Sequence, residues 1–295
     1  VSTALAISSR YRPADNVVHI ADWVSSTIER IMGYGDEIIA TGMARGAAVR
    51  GKRIAFGNGR RIVWSDNCEP IFRHNPNIAP PGFELQHHNI DKIEWIQHYK
   101  HHRAYMSPSE GGRWRYNRGF KIKPGELYFS QEEKEFAARV PAGFVLIEPR
   151  VKPVYPNKQW AVGRYIEVAQ RLGKRYPICQ FAYGGLQPLL PGVRTIPTPT
   201  IRHALAVLAR AALFIGCEGA MTHGAAAVGV NAVVLFGGFT DPLVLGYAHN
   251  VNLTGGAEPC GTTPSCAHCR EAMNAITVDD VCAGADQLLA EVCTR

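Results

Sequence analysis

Residues 213–242 constrain the fold of this 295-residue chain more than any other stretch. They read LFIGCEGAMTHGAAAVGVNAVVLFGGFTDP. A buried strand at Leu213–Ile215 leads through a small-residue turn, Gly216–Gly219, into a helix built largely of Ala and Gly. A second buried strand follows at Ala232–Phe236. Short, continuous apolar runs on either side of a helix are what a parallel sheet covered on both faces demands. A helix of small residues lets neighbouring backbone approach closely. The turn falls at the carboxyl end of a strand, where open parallel sheets bind ligands. The helix it opens offers unpaired N–H groups and the positive end of its dipole to an anion. Glu218 stands just before that helix and His223 in its first turns. A carboxylate, bare amides and an imidazole are therefore expected to share one crevice, a set suited to the hydroxyls and phosphates of a nucleotide.

The same alternation extends back to Phe144. Strand 144–148, helix 160–174, strand 178–182, a Tyr183-Gly184-Gly185 loop and helix 201–211 precede the stretch above, and an amphipathic helix at 278–292 closes the chain. Such alternation implies a parallel sheet with crossover helices. Before it, helical spacing is read over 17–30, a helix over 36–50 and a strand at Arg53–Phe56. Pro124 and Pro141 bracket the approach to a linker, so the organisation expected is two α/β halves, 1–140 and 141–295. No run approaches the ~20 apolar residues of a membrane span. The opening residues lack a basic segment followed by a long apolar one, so a cytoplasmic location is expected, with peripheral contact at the inner membrane surface compatible.

Three motifs occur in order. Gly33-Tyr34-Gly35-Asp36-Glu37-Ile38 lies near the N-terminus, Lys158-Gln159-Trp160 follows strand 144–148, and Gly216, Glu218, Gly219, Ala220 and His223 fall in the stretch described first. Together they resemble the G-D-[VE], K-x-W and G-x-D-[ST]-G-x-x-H motifs of the bacterial heptosyltransferase family, inverting glycosyltransferases of GT-B fold. Glu218 stands where that family has Asp, and Ala220 where it has Gly. The resemblance implies two Rossmann-like α/β/α domains facing across a cleft, the last helix crossing back to the first. It implies a nucleotide-diphosphate sugar as donor substrate, with no further cofactor required. Lys158, Glu218, Gly219, Ala220 and His223 would hold the donor on the second domain, and Asp36 would take the proton of an acceptor hydroxyl. Tyr183 and Gly184, in a generic strand-to-helix turn, are candidates for lining the base pocket. Asp36 has a plainer reading as a helix cap, and His223 as a satisfied core histidine.

The net charge of +7 is concentrated before residue 141, above all between His98 and Lys123. Lys100, Arg103, Arg113, Arg115, Arg118, Lys121 and Lys123 are opposed there only by Glu110, with Tyr99, Tyr105, Trp114, Tyr116 and Phe120 interleaved. The bland reading is a solvated loop. The functional one is an anionic glycan or glycolipid acceptor held by Arg103, Arg113, Arg115 and Lys121 and stacked on aromatics. A protein or nucleic-acid acceptor remains open, and so does a non-catalytic nucleic-acid-binding protein with a cysteine-bound metal. Cys266 and Cys269 have metal-ligand spacing, with Cys260 and Cys282 on either side, but no second CxxC completes a ribbon. Reduced thiols are the preferred reading, and a structural metal on those four cysteines is the alternative.

Overall fold

The computed structural model describes residues 33–98, 103–182 and 189–293, which fall in one compact unit. The helix expected at 17–30 and the candidates Tyr183 and Gly184 lie outside the described residues, as do Tyr99 and Lys100.

Helix α1 (Tyr34–Ala48) opens the described chain, two residues earlier than expected, and leads to β1 (Arg53–Phe56). A short helix, α2 (Cys68–Phe72), follows, and then β2 (Ile93–Ile96), which pairs with β1 in parallel. Strands β3 (Met106–Ser109) and β4 (Arg113–Tyr116) form an antiparallel hairpin. Its turn uses Gly111 and Gly112 at φ of 70° and 67°, where a side chain would be strained. Helix α3 (Gln131–Ala138) is closed by a capping box, the Ser130 hydroxyl accepting from Glu133 N and the Glu133 carboxylate accepting from Ser130 N.

The second half alternates as its sequence requires. The elements are β5 (Val145–Glu148), α4 (Val162–Leu172), β6 (Ile178–Ala182), β7 (Arg194–Pro197), α5 (Ile201–Leu208), β8 (Leu213–Cys217), α6 (Ala220–Ala227), β9 (Ala232–Leu235), α7 (Pro242–Leu245), β10 (Val251–Leu253), α8 (Ala267–Ala275) and α9 (Val278–Cys293). The six strands make one parallel sheet in the order β10-β9-β8-β5-β6-β7. The order reverses between β5 and β8, so a crevice opens beyond their carboxyl ends, after Glu148 and Cys217.

Side chains alternate across this sheet. Val145, Ile147, Leu213, Ile215, Val233 and Leu235 pack on one side with Trp160, Tyr165, Leu172, Val281 and Leu288. Leu146, Phe214 and Val234 pack on the other with Leu205, Ile38 and Ala44. Helix α9 thus lies against α4 and strands β8 to β10, within the second half. Helix α1, from the first half, covers the opposite face beside α5 and α6, and one apolar core runs across the expected 140/141 boundary. Close approach explains the small residues of α6, because a Cβ on Gly224 would lie 2.4 Å from Leu205 Cδ2. Among the described residues no helix is long and apolar enough to cross a membrane.

One buried polar clamp joins the halves. The Arg202 guanidinium, on α5, bonds both oxygens of Glu133 on α3 and the carbonyls of Pro70 and Tyr128. Burial raises the Glu133 pKa, but the Arg202 bonds and the Ser130 amide outweigh it and bring it down to about 2. Breaking one side of a buried pair leaves the other charge uncompensated, at a cost of about 3–5 kcal/mol. We therefore expect Arg202→Met to lose about that much stability near pH 7, read as the urea midpoint at constant slope. A depressed carboxylate pKa contributes stability above its unfolded value, and that contribution is lost as pH falls through about 2. The gap between variant and wild type should accordingly narrow on acidification, and a gap independent of pH would show that the charge is not what the clamp contributes.

Candidate active site

A cavity of about 320 Å³ opens at the switch point of the sheet. It is lined by Asp36, Lys158, Glu218, Gly219, Ala220 and His223, so the residues of all three sequence motifs meet there. Two helix N-termini make this convergence possible. A Cβ on Gly35 would lie 3.1 Å from His223 Cδ2 and 3.3 Å from Ala220 N, so the first turn of α1 abuts the first turn of α6. The glycine at position 35 serves that contact. First-turn residues of both helices line the cavity, so the positive ends of both dipoles lie at it.

Asp36 sits in the first turn of α1, not in a loop preceding it. Its Oδ2 accepts from Gly33 N at 2.8 Å, so it closes the start of α1 from the third helical position, and the N-cap itself is Gly33. The same carboxylate also faces the cavity, where Oδ1 accepts from the Tyr105 hydroxyl at 2.6 Å and Oδ2 lies 3.4 Å from Arg103 Nη2. Burial, then the Asp36 charge, holds the Tyr105 phenol well above its usual pKa, so it donates to Asp36 as a neutral hydroxyl. Arg103 also lies over the Trp114 ring, 5.3 Å from its centroid.

A second charged group also lines the cavity. Lys158 ends a short turn, Pro156–Lys158, that is pinned because the Asn157 amide bonds Thr262 O and Pro264 O and accepts from Cys266 N. Trp160 lies 1% exposed and donates its indole N–H to Ile276 O, anchoring the segment to α8 rather than contacting the cavity. The Lys158 ammonium is packed against Tyr155 and Phe239, 5.4 and 5.3 Å from the ring centroids, and ion-paired with Glu218. Glu218 also accepts from Thr240 Oγ1 and is 3.2 Å from His223 Nε2. Burial raises its pKa, but Lys158 and His223 override that and hold it well below the carboxylate range. An ionised Glu218 can only accept, so His223 Nε2 carries a proton. His223 Nδ1 continues the chain to the Tyr247 hydroxyl at 3.0 Å. His223 is thus both a satisfied core histidine, 1% exposed, and part of the cavity wall.

Lys152 was not singled out from the sequence. Its Nζ would be 3.1 Å from a Cβ on Gly33, which places the ammonium over the start of α1, and it lines the cavity without an ion pair among the described residues. Desolvation lowers its pKa, Asp36 opposes that, and Lys158, Arg103 and Arg150 reinforce it. The one signal available in the sequence is its position just beyond the carboxyl end of β5, at the switch point. The basic segment divides by strand parity. In β4, Trp114 and Tyr116 line the cavity whereas Arg113 and Arg115 are exposed, and Lys121 is exposed beyond them. Of the four acceptor candidates only Arg103 reaches the cavity. The Arg-Trp-Arg-Tyr alternation carried that information, since period two separates the faces of a strand.

Three of the four cysteine candidates also meet. Cys260, Cys266 and Cys269 place their sulfurs within 4.8 Å of one another. Cys282 does not join them but is buried on α9 beside Arg171.

No protein-family model matches this chain, and no curated protein does. Among solved structures, a glycosyl transferase family 9 protein from Veillonella parvula superposes with a TM-score of 0.59 at 15% identity, covering 88% of this chain and 95% of its own. The chain has the fold of that transferase. This is the GT-B class expected from the motifs. Its complete parallel sheet is the one in the second half, while the first half contributes α1, the β1–β2 pair and the hairpin among the described residues. The ADP-heptose lipopolysaccharide heptosyltransferase II of E. coli is matched at TM-score 0.43 and 16% identity, over 57% of this chain and 54% of its own. The iron-containing dodecameric glycosyltransferase TibC of enterotoxigenic E. coli is matched at 0.45 and 17%, over 59% and 52%. The chain thus spans about half the length of these two E. coli proteins.

The cavity's cations make a simple anion test available. Inorganic pyrophosphate should raise the Tm of the wild-type chain by mass action. Lys152→Ala should shrink that rise, because its ammonium is not committed to a carboxylate, while Arg113→Ala and Arg115→Ala should leave it unchanged at moderate salt. An equal loss in all three variants would reduce the effect to general surface charge.

Proposed function

We propose that the chain is an inverting glycosyltransferase that moves a sugar from a nucleotide-diphosphate sugar to the hydroxyl of an anionic acceptor such as a surface glycan or glycolipid. The observation that carries this reading is one cavity that gathers the Asp36 carboxylate, the Lys152 and Lys158 ammoniums and the first turn of α6. The donor diphosphate would lie over Gly219 and Ala220, where amides and cations stabilise charge that grows as the leaving group departs. Glu218 accepts a donor hydroxyl and holds Lys158 in place. Asp36 removes the proton from the acceptor hydroxyl as its oxygen attacks the anomeric carbon. The bond from that carbon to the diphosphate oxygen breaks, its electron pair leaves with the nucleoside diphosphate, and attack from the opposite face inverts the centre. Tyr105 and the Gly33 amide keep the carboxylate aimed, and Arg103 on Trp114 is the cation nearest the acceptor.

Asp36→Asn keeps the shape but cannot take the proton. Turnover should fall by ~10²–10⁴-fold with donor affinity almost unchanged. Sugar transfer at the wild-type rate would place the base elsewhere. Asparagine still accepts from the Gly33 amide, so the start of α1 should survive, which circular dichroism checks.

Lys158→Ala should weaken a nucleoside diphosphate far more than the nucleoside alone, measured by calorimetric titration. Equal losses for both ligands would remove Lys158 from the phosphate site.

A further inference from the structure

We propose that Cys260, Cys266 and Cys269 form a binding site for one thiophilic divalent cation of the zinc class, and that this cation fixes the strap on which the cavity's second wall is built. The sulfurs lie within 4.8 Å of one another, and those of Cys260 and Cys269 are 3.2 Å apart. A tetrahedral thiolate site with metal–sulfur bonds of about 2.3 Å needs sulfurs about 3.8 Å apart, so the cluster has the right dimensions. The arms are set by backbone. Cys266 is the N-cap of α8 and Cys269 lies one turn on, which puts both on one face at the positive end of the helix. Cys260 comes from the strap, and the Thr262 N–H points at its sulfur at 3.4 Å. Three sulfur donors select a soft cation over magnesium or calcium. Cys260 and Cys266 are partly exposed, so the fourth position is filled from solvent. Each thiol that ligates gives its proton to water, and no oxidation is involved.

Strap 260–266 connects this cluster to the cavity through backbone. Cys260 N and Gly261 N bond Gly238 O and Phe239 O at 2.8 and 3.0 Å, and the Phe239 ring packs on Lys158. Trp114 N bonds Gly261 O at 2.9 Å, and Thr263 N bonds Gly112 O at 3.0 Å, which fastens the hairpin. Asn157, the neighbour of Lys158, is held by Thr262 O, Pro264 O and Cys266 N. Gly261 has no room for a side chain, since a Cβ would be 2.2 Å from Trp114 O. A cation gripping both ends of the strap would therefore restrain Phe239, Trp114 and Asn157 together. The proposal stands independently of the transfer reaction.

The test uses the full chain, purified under reducing conditions, stripped with a strong chelator and titrated with Co²⁺. The expected result is one Co²⁺ per chain with a thiolate charge-transfer band, displaced by Zn²⁺. Cys266→Ser should weaken binding by more than ~10-fold, the loss that even outer partners of a metal ligand cause. Cys282→Ser should leave it unchanged. With Zn²⁺ bound, the Trp114, Gly261 and Cys266 amides should exchange hydrogen at least ~10-fold more slowly. No thiolate band, a band unaltered in Cys266→Ser, or a Cys260–Cys269 disulfide in the purified chain would overturn the site. Unchanged exchange at those amides would overturn its link to the cavity.

Discussion

The contact on which the rest depends is that between the first turns of α1 and α6. Helix N-termini repel one another, because each carries about half a positive charge on unpaired N–H groups. Bringing two together requires apolar packing behind them and negative charge in front. The packing comes from Ile38, Leu205 and the bare backbone of Gly224, and the charge from Asp36 and Glu218. Gly35 makes the approach sterically feasible. The cavity is a product of that arrangement, since its walls are what the two helices and the switch point of the sheet leave between them.

Among the described residues of the cavity, Asp36 and Glu218 each have a cationic partner, and Lys152 stands outside both pairs. Asp36 faces Arg103, and Glu218 faces Lys158 and His223, while Lys152 forms no ion pair among the described residues. Desolvated pairs of this kind cost free energy unless every remaining lone pair is satisfied. Thr240 and Tyr247 satisfy the Glu218 side, and Tyr105 with the Gly33 amide the Asp36 side. A ligand anion entering would compete with Glu218 for the ion pair of Lys158, whereas at Lys152 it would meet only the longer-range attraction of Asp36.

Most of the second half was legible because its strands are buried on both faces. Leu213–Cys217 and Ala232–Leu235 are apolar throughout, and periodicity needs no tertiary context to be read there. Edge strands gave no such signal. In β7 the residues Arg194, Thr195 and Pro197 are exposed, and β10 has three residues, all partly exposed. The hairpin is masked in the sequence by its charge, since Arg113 and Arg115 give the strand the composition of a solvated loop although the two-residue period carries Trp114 and Tyr116 inward. The docking of α1 onto the opposite half has no local signature, being a contact between residues far apart in sequence. For the same reason Tyr105 and Thr240 could be seen as residues but not as partners of Asp36 and Glu218.

The two faces of the hairpin have a kinetic consequence. Arg113 and Arg115 point to solvent on the same strand whose Trp114 and Tyr116 close the cavity. An anion bound for the cavity from this end would be attracted by the outward arginines before it touched the inner ring. Those charges touch nothing in the cavity, so they would act on the rate of encounter at low salt, and at moderate salt screening over about 8–10 Å would remove most of that effect and the affinity it adds. The desolvated groups inside would govern how long a bound anion stayed, which salt alters much less. One four-residue strand would thereby separate arrival from residence, its alternate residues facing solvent and cavity in turn.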